Sequence, residues 1–186
     1  MVSLTSLWLP ILLSAVAVFF ASFLMHTVLK YHNTDFSPLP NEAAILAALG
    51  SHNLPVGEYM FPHGAGGTSA MKDPAFIERR TRGPCGILTI TPNGMPALGG
   101  FLAQWFVYSL VVSLFSAYLA GRALPAGAEG SEVFRFTATV AWIGYGLALV
   151  HDSIWFGRRW STTIKNLVDA VVYGAVTAAV FVWMWP

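Results

Sequence analysis

Charge is what this sequence has least of. Only 10% of its 186 residues are Asp, Glu, Lys or Arg, against about 25% in an average soluble domain. None of the four types occurs from Met1 to Leu29, from Gly83 to Gly121, from Phe136 to His151, or from Ala170 to Pro186. A charge at the centre of a helix in hydrocarbon costs about 2.5–3.5 kcal/mol, so windows of this length without one suit lipid as their solvent. The charges that remain nearly cancel, with a net of +1, which excludes a basic face for nucleic acid. Cysteine is almost missing as well. The single Cys85 excludes an intrachain disulfide, and with no His or acid beside it the thiol reads as a small buried apolar side chain. Neither H-E-x-x-H nor G-x-S-x-G occurs, so the common zinc-hydrolase and serine-hydrolase signatures are absent. There is no internal repeat, no motif assigns an enzyme activity, and none names a cofactor.

What is abundant is apolar surface, 55% of the chain. A spanning helix needs about 20 predominantly apolar residues, and the charge-free windows supply four of them. The expected fold is an all-α integral membrane protein with spans at residues 4–29, 97–120, 133–156 and 161–185, and a small α+β insert, residues 30–96, between the first two. Pro10 falls early in span 1, where it is tolerated. That span has no Lys or Arg before it and exceeds the 7–15 apolar residues of a signal peptide, so it reads as a retained helix. Trp8, Trp155, Trp160, Trp183 and Trp185 fall at span ends, as tryptophans do at a headgroup boundary.

The Lys and Arg count sets the expected orientation. Loops 1 and 3 and their flanks hold Lys30, Lys72, Arg79, Arg80, Arg82, Arg158, Arg159 and Lys165, whereas the other side holds Arg122 and Arg135. The positive-inside rule places loops 1 and 3 in the cytoplasm and both termini outside, in a multi-pass protein of bacterial inner-membrane type. Within the insert, Asn41 reads as the cap of a helix over Glu42 to Leu49, Gly57 to Phe61 as a strand, Asp73-Pro74 as a helix start closed by Gly83, and Ile87 to Thr91 as a second strand before the turn Pro92-Asn93-Gly94. The stretch from His63 to Ser69 reads as a flexible loop.

Two patterns bear on function. Small residues recur at helical spacing: Ser109, Ser113, Ala117 and Gly121 on span 2, Gly144 and Ala148 on span 3, and Ala170, Gly174 and Ala178 on span 4. Such stripes let helix backbones approach closely in lipid, as an intrachain bundle or as a seam to another copy or another membrane protein. The second pattern is a set of polar residues near one end of the spans: His26, His151, Asp152, Lys165, Asn166 and Asp169. Ionisable groups inside spans are functional candidates by default. Lys165 and Asp169 stand four residues apart, close enough to neutralise each other along the helix. His26 and His151 are the candidate metal ligands, and His32, His52 and His63 read as solvated loop histidines. The leading expectation is a non-catalytic subunit or accessory component of a membrane assembly, working through helix packing and the insert. The alternatives are a small proton- or ion-linked transporter using the intramembrane His and Asp, and a haem- or metal-binding membrane protein.

Overall fold

The computed structural model describes all residues from Met1 to Pro186. In chain order its elements are α1 (Trp8–Phe23), α2 (Glu42–Ser51), β1 (Gly57–Phe61), α3 (Pro74–Arg82), β2 (Gly86–Ile90), α4 (Leu98–Ala123), α5 (Gly130–Gly146), α6 (Val150–Trp155) and α7 (Trp160–Trp183). A 3-10 turn, Leu4–Leu7, leads into α1, a π-helical turn, Leu24–Val28, follows it, and a 3-10 turn, Leu147–Leu149, joins α5 to α6. With those turns included, four helical stretches run Leu4–Val28, Leu98–Ala123, Gly130–Trp155 and Trp160–Trp183. Each expected span is found within three residues of its expected ends. The shortest has 24 residues, about 36 Å at 1.5 Å per residue, enough for the roughly 30 Å of bilayer hydrocarbon. Length and apolarity together suggest a multi-pass membrane protein.

The chain divides into two units, Met1–Phe36 with Ala97–Pro186, and Ser37–Pro96. In the first, the polarity of a soluble core is reversed. The buried positions are small and often hydroxylic: Ser14, Ser109, Ser113, Ser116, Thr137, Thr163 and Thr177. The outer faces carry large apolar side chains such as Phe20, Phe115 and Val168, each more than half exposed. Most of these hydroxyls are paired within the bundle, Thr177 being the exception. Ser14 donates to Ser113 Oγ across 3.0 Å, Ser153 and Thr163 meet at 2.6 Å, and Ser116 and Thr137 return to their own helices at the carbonyls of Val112 and Val133. Small residues inside and large apolar ones outside are the pattern of helices that pack by close backbone approach in lipid.

The small-residue stripes are used up in that packing. Ser109, Ser113, Ala117, Gly121, Ala170, Gly174 and Ala178 are all buried within the chain. A Cβ on Gly174 would stand 2.9 Å from the Ala138 carbonyl oxygen on α5, and one on Gly146 would stand 2.6 Å from Ala170 Cβ on α7. Gly144 faces the Val112 side chain on α4. Ala148 is the exception and is exposed.

The second unit is a thin α+β insert. β1 and β2 pair antiparallel, Gly57 opposite Ile90 and Phe61 opposite Gly86, with α3 in the connection between them. Asp73 caps α3 by accepting from the Ala75 amide at 3.0 Å, Pro74 takes the first helical position, and Gly83 ends it at φ 65°. Three expectations fail here. Asn41 precedes α2 in a left-handed conformation and its side chain makes no cap. The His63 to Ser69 stretch runs into a 3-10 helix, Gly67–Lys72. Cys85 is exposed, its thiol turned to the Arg80 carbonyl, because this unit buries little beyond Ala70. Lys30–Phe36, assigned to the insert by its charge, clusters with the helical unit instead.

Candidate functional site

The site begins where α1 ends. Between Leu24 and Val28 the helix widens, with the Leu29 amide reaching back five residues to the Leu24 carbonyl. Such π turns insert one extra residue, shift the faces that follow, and often mark functional positions. Lys30 then takes a left-handed conformation, φ 55°. That reversal brings a 3-10 turn, Tyr31–Thr34, back against α7.

Two side chains of α7 hold the turn. Lys165 Nζ donates to the Tyr31 carbonyl at 2.7 Å, to Thr34 Oγ1 at 2.8 Å and to Asp35 Oδ1 at 2.8 Å, which uses all three of its protons. Asp169, 5% exposed, accepts from the Tyr31 hydroxyl on one oxygen and meets His32 Nε2 at 2.8 Å on the other. His26 Nε2 stands 3.8 Å from that second oxygen. The expected Lys165–Asp169 neutralisation therefore gives way to a different arrangement. The turn lies against both residues and takes each separately.

Both histidines are oriented from behind. His26 Nδ1 donates to the Ser22 carbonyl at 3.1 Å, and His32 Nδ1 stands 2.6 Å from Asp35 Oδ2. Each ring thus turns Nε2 toward Asp169. Ligand histidines are commonly fixed in this way, with the second ring nitrogen on a carbonyl or carboxylate. Burial raises the Asp35 carboxyl pKa, but hydrogen bonds from Lys165 and His32, with the charge behind them, outweigh it and hold the group below the ordinary carboxylate range.

His26, His32 and Asp169 offer ligand atoms that all lie within 4.8 Å of one another. Two atoms bound to one tetrahedral ion at 2.0–2.1 Å lie roughly 3.3 Å apart, and the 2.8 and 3.8 Å separations here fall on either side of that value. The rings are stacked, 3° from parallel with centroids 4.4 Å apart, so their lone pairs run side by side. One ion touching all three groups requires the His26 ring to turn, and that ring, 48% exposed, has room to do so. The same stacking leaves no space for a porphyrin between the two imidazoles.

The other expected site residues part company. Asn166 lines a cavity of about 370 Å³ next to Asp169, together with His26, Trp105, Tyr145 and Tyr173. Asp152 is half exposed and its nearest cation is Arg158 at 3.5 Å. His151 is exposed and its ring packs edge-on against Phe156. The histidine whose ring nitrogen lies near that of His26 is His32, on the turn after α1. His151 and Asp152 sit on α6, which follows the Leu147–Leu149 3-10 turn.

His32, Asp35 and Tyr31 are the residues that sequence reasoning passed over. Their signal is present in Lys30-Tyr-His-Asn-Thr-Asp35, where base, aromatic, imidazole and carboxylate crowd just past span 1. What spacing cannot supply is the backbone reversal at Lys30 that folds them under the bundle. Comparison with protein-family models, with curated proteins and with solved structures finds no match to this chain.

Proposed function

We propose that this protein is a multi-pass membrane protein that holds a divalent first-row transition ion at one end of its bundle, on His26, His32 and Asp169. The observation that carries the reading is the pair of Nε2 atoms directed at one buried carboxylate, each ring backed at Nδ1. Imidazole with carboxylate suits zinc, iron, nickel or copper rather than calcium or magnesium. A second feature supports holding over conduction. Asp169 is the only buried Asp, Glu, Lys, Arg or His in the chain, and the buried polar residues of the bundle are otherwise hydroxyls. No line of ionisable groups leads from it along the helices. Apart from Ala148, the small residues that motivated an accessory-subunit reading are taken up by packing within the chain.

The Lys and Arg imbalance supports a cytoplasmic position for this end in a bacterial inner membrane; side-specific labelling of loop residues reads that directly. The binding test is calorimetric. Full-length protein, purified in mild detergent and stripped with chelator, is titrated with Zn²⁺ and Co²⁺. One ion per chain is expected, with His32→Ala and Asp169→Asn each weakening binding by at least tenfold and His151→Ala leaving it unchanged. Binding that is indifferent to His32 and Asp169, or lost with His151, overturns the assignment.

A further inference from the structure

The cavity beside the trio has a feature that a metal does not use. We infer that it binds a flat, neutral, lipid-soluble ring compound with carbonyl acceptors, the chemistry of a quinone. Three donors on its wall have no partner: the Trp105 indole N–H and the Tyr145 and Tyr173 hydroxyls. Both tyrosines are more than nine-tenths buried, 7% and 4% exposed. Buried polar groups in folded proteins are nearly always paired, and exceptions call for an occupant. The hydroxyls nearest the two tyrosines are Ser109 for Tyr145 and Ser22 for Tyr173, and neither pair closes to hydrogen-bond geometry, while Tyr108 donates to the Gly144 carbonyl and Ser109 to the Trp105 carbonyl.

The chemistry of the wall selects the ligand. An indole N–H only donates, so the occupant must accept. Trp105, Tyr108, Tyr145 and Tyr173 form one aromatic cluster with centroids of contacting pairs 5.4 to 5.9 Å apart, every pair tilted or edge-on. Such a wall suits a planar ring. An organic cation would leave the indole N–H unpaired, and an anion would meet the Asp169 carboxylate. A cavity of about 370 Å³ lies within the range for small-molecule sites. The bundle's large apolar outer side chains make lipid the medium from which the compound would come.

This inference stands apart from the metal reading, and its test is run on metal-free protein. Full-length protein in nanodiscs is titrated with a short-chain benzoquinone carrying one isoprene unit, with binding followed by tryptophan quenching and by Tm. Saturable binding with a rise in Tm is expected for the wild type. Tyr145→Phe with Tyr173→Phe removes only two oxygens. It should leave the free protein's Tm unchanged or higher, weaken quinone binding at least tenfold, and leave the Zn²⁺ titration as in the wild type. Trp105→Phe should weaken quinone binding to a similar degree. Three results overturn the inference: non-saturable quenching equal in all variants, wild-type affinity in the double variant (water then serves the donors), or saturable binding of tetramethylammonium in place of the quinone.

Discussion

Lys165 is the residue whose role can be read most directly from its contacts. Its side chain is about three-quarters buried, and its ammonium group makes hydrogen bonds only to residues 31–35 after α1. Replacing it with Met keeps much of the stem and removes three donors, leaving the Tyr31 carbonyl and the Asp35 carboxylate short of partners. Losing one partner of a part-buried charged pair costs about 1–3 kcal/mol. Lys165→Met should therefore lower the unfolding free energy by about that amount, read by thermal or denaturant unfolding in detergent. Arg82→Ala, which breaks an exposed pair with Glu78, should change it by less than about 0.5 kcal/mol. Equal effects from the two substitutions would contradict the clamp. At this scale the sequence was half legible. His26, Lys165, Asn166 and Asp169 stand out because polar groups are rare in an apolar run. His32 and Asp35 do not, because loop residues of those types are ordinary until a backbone reversal buries them.

Among the elements, α5 and α7 pack closest, and glycine is the reason. Gly174 brings α7 to within contact of the α5 backbone, where the neighbour of an added Cβ is a carbonyl oxygen that cannot rotate away. Gly174→Leu must force the helices apart. Overpacking of this kind costs about 1–3 kcal/mol, so a lower Tm is expected. Gly99, with nothing near its Cβ position, should accept Ala without loss. Helix positions were legible to within three residues because the apolar windows and their charged borders leave little choice. The stripes of small residues were legible as packing faces, but not as intrachain ones, since spacing alone does not say which helix answers. The break in span 3 at Leu147–Leu149 was not legible. Gly146 is the local cue, and it reads equally well as a packing glycine. Asp152 and His151 follow that break, and the contacts they make are with Arg158 and Phe156.

For the whole molecule, the account comes down to a long-range closure. A turn at residues 31–34 meets residue 169 from the far end of the chain, and four helices hold the two together. The interior is small and hydroxylic, a pattern that suits lipid as solvent, and Asp169 is the one buried carboxylate in it. His32 faces a carboxylate at each ring nitrogen, and a metal ion on Asp169 would draw in the His26 ring as well. The most direct measurement is X-ray absorption at the metal edge of the Zn²⁺-loaded, full-length protein. The account predicts two imidazole nitrogens and a carboxylate oxygen at about 2.0–2.2 Å, with one imidazole lost in His32→Ala and none in His151→Ala. A shell of water oxygens without imidazole, or one unchanged by His32→Ala, would contradict it.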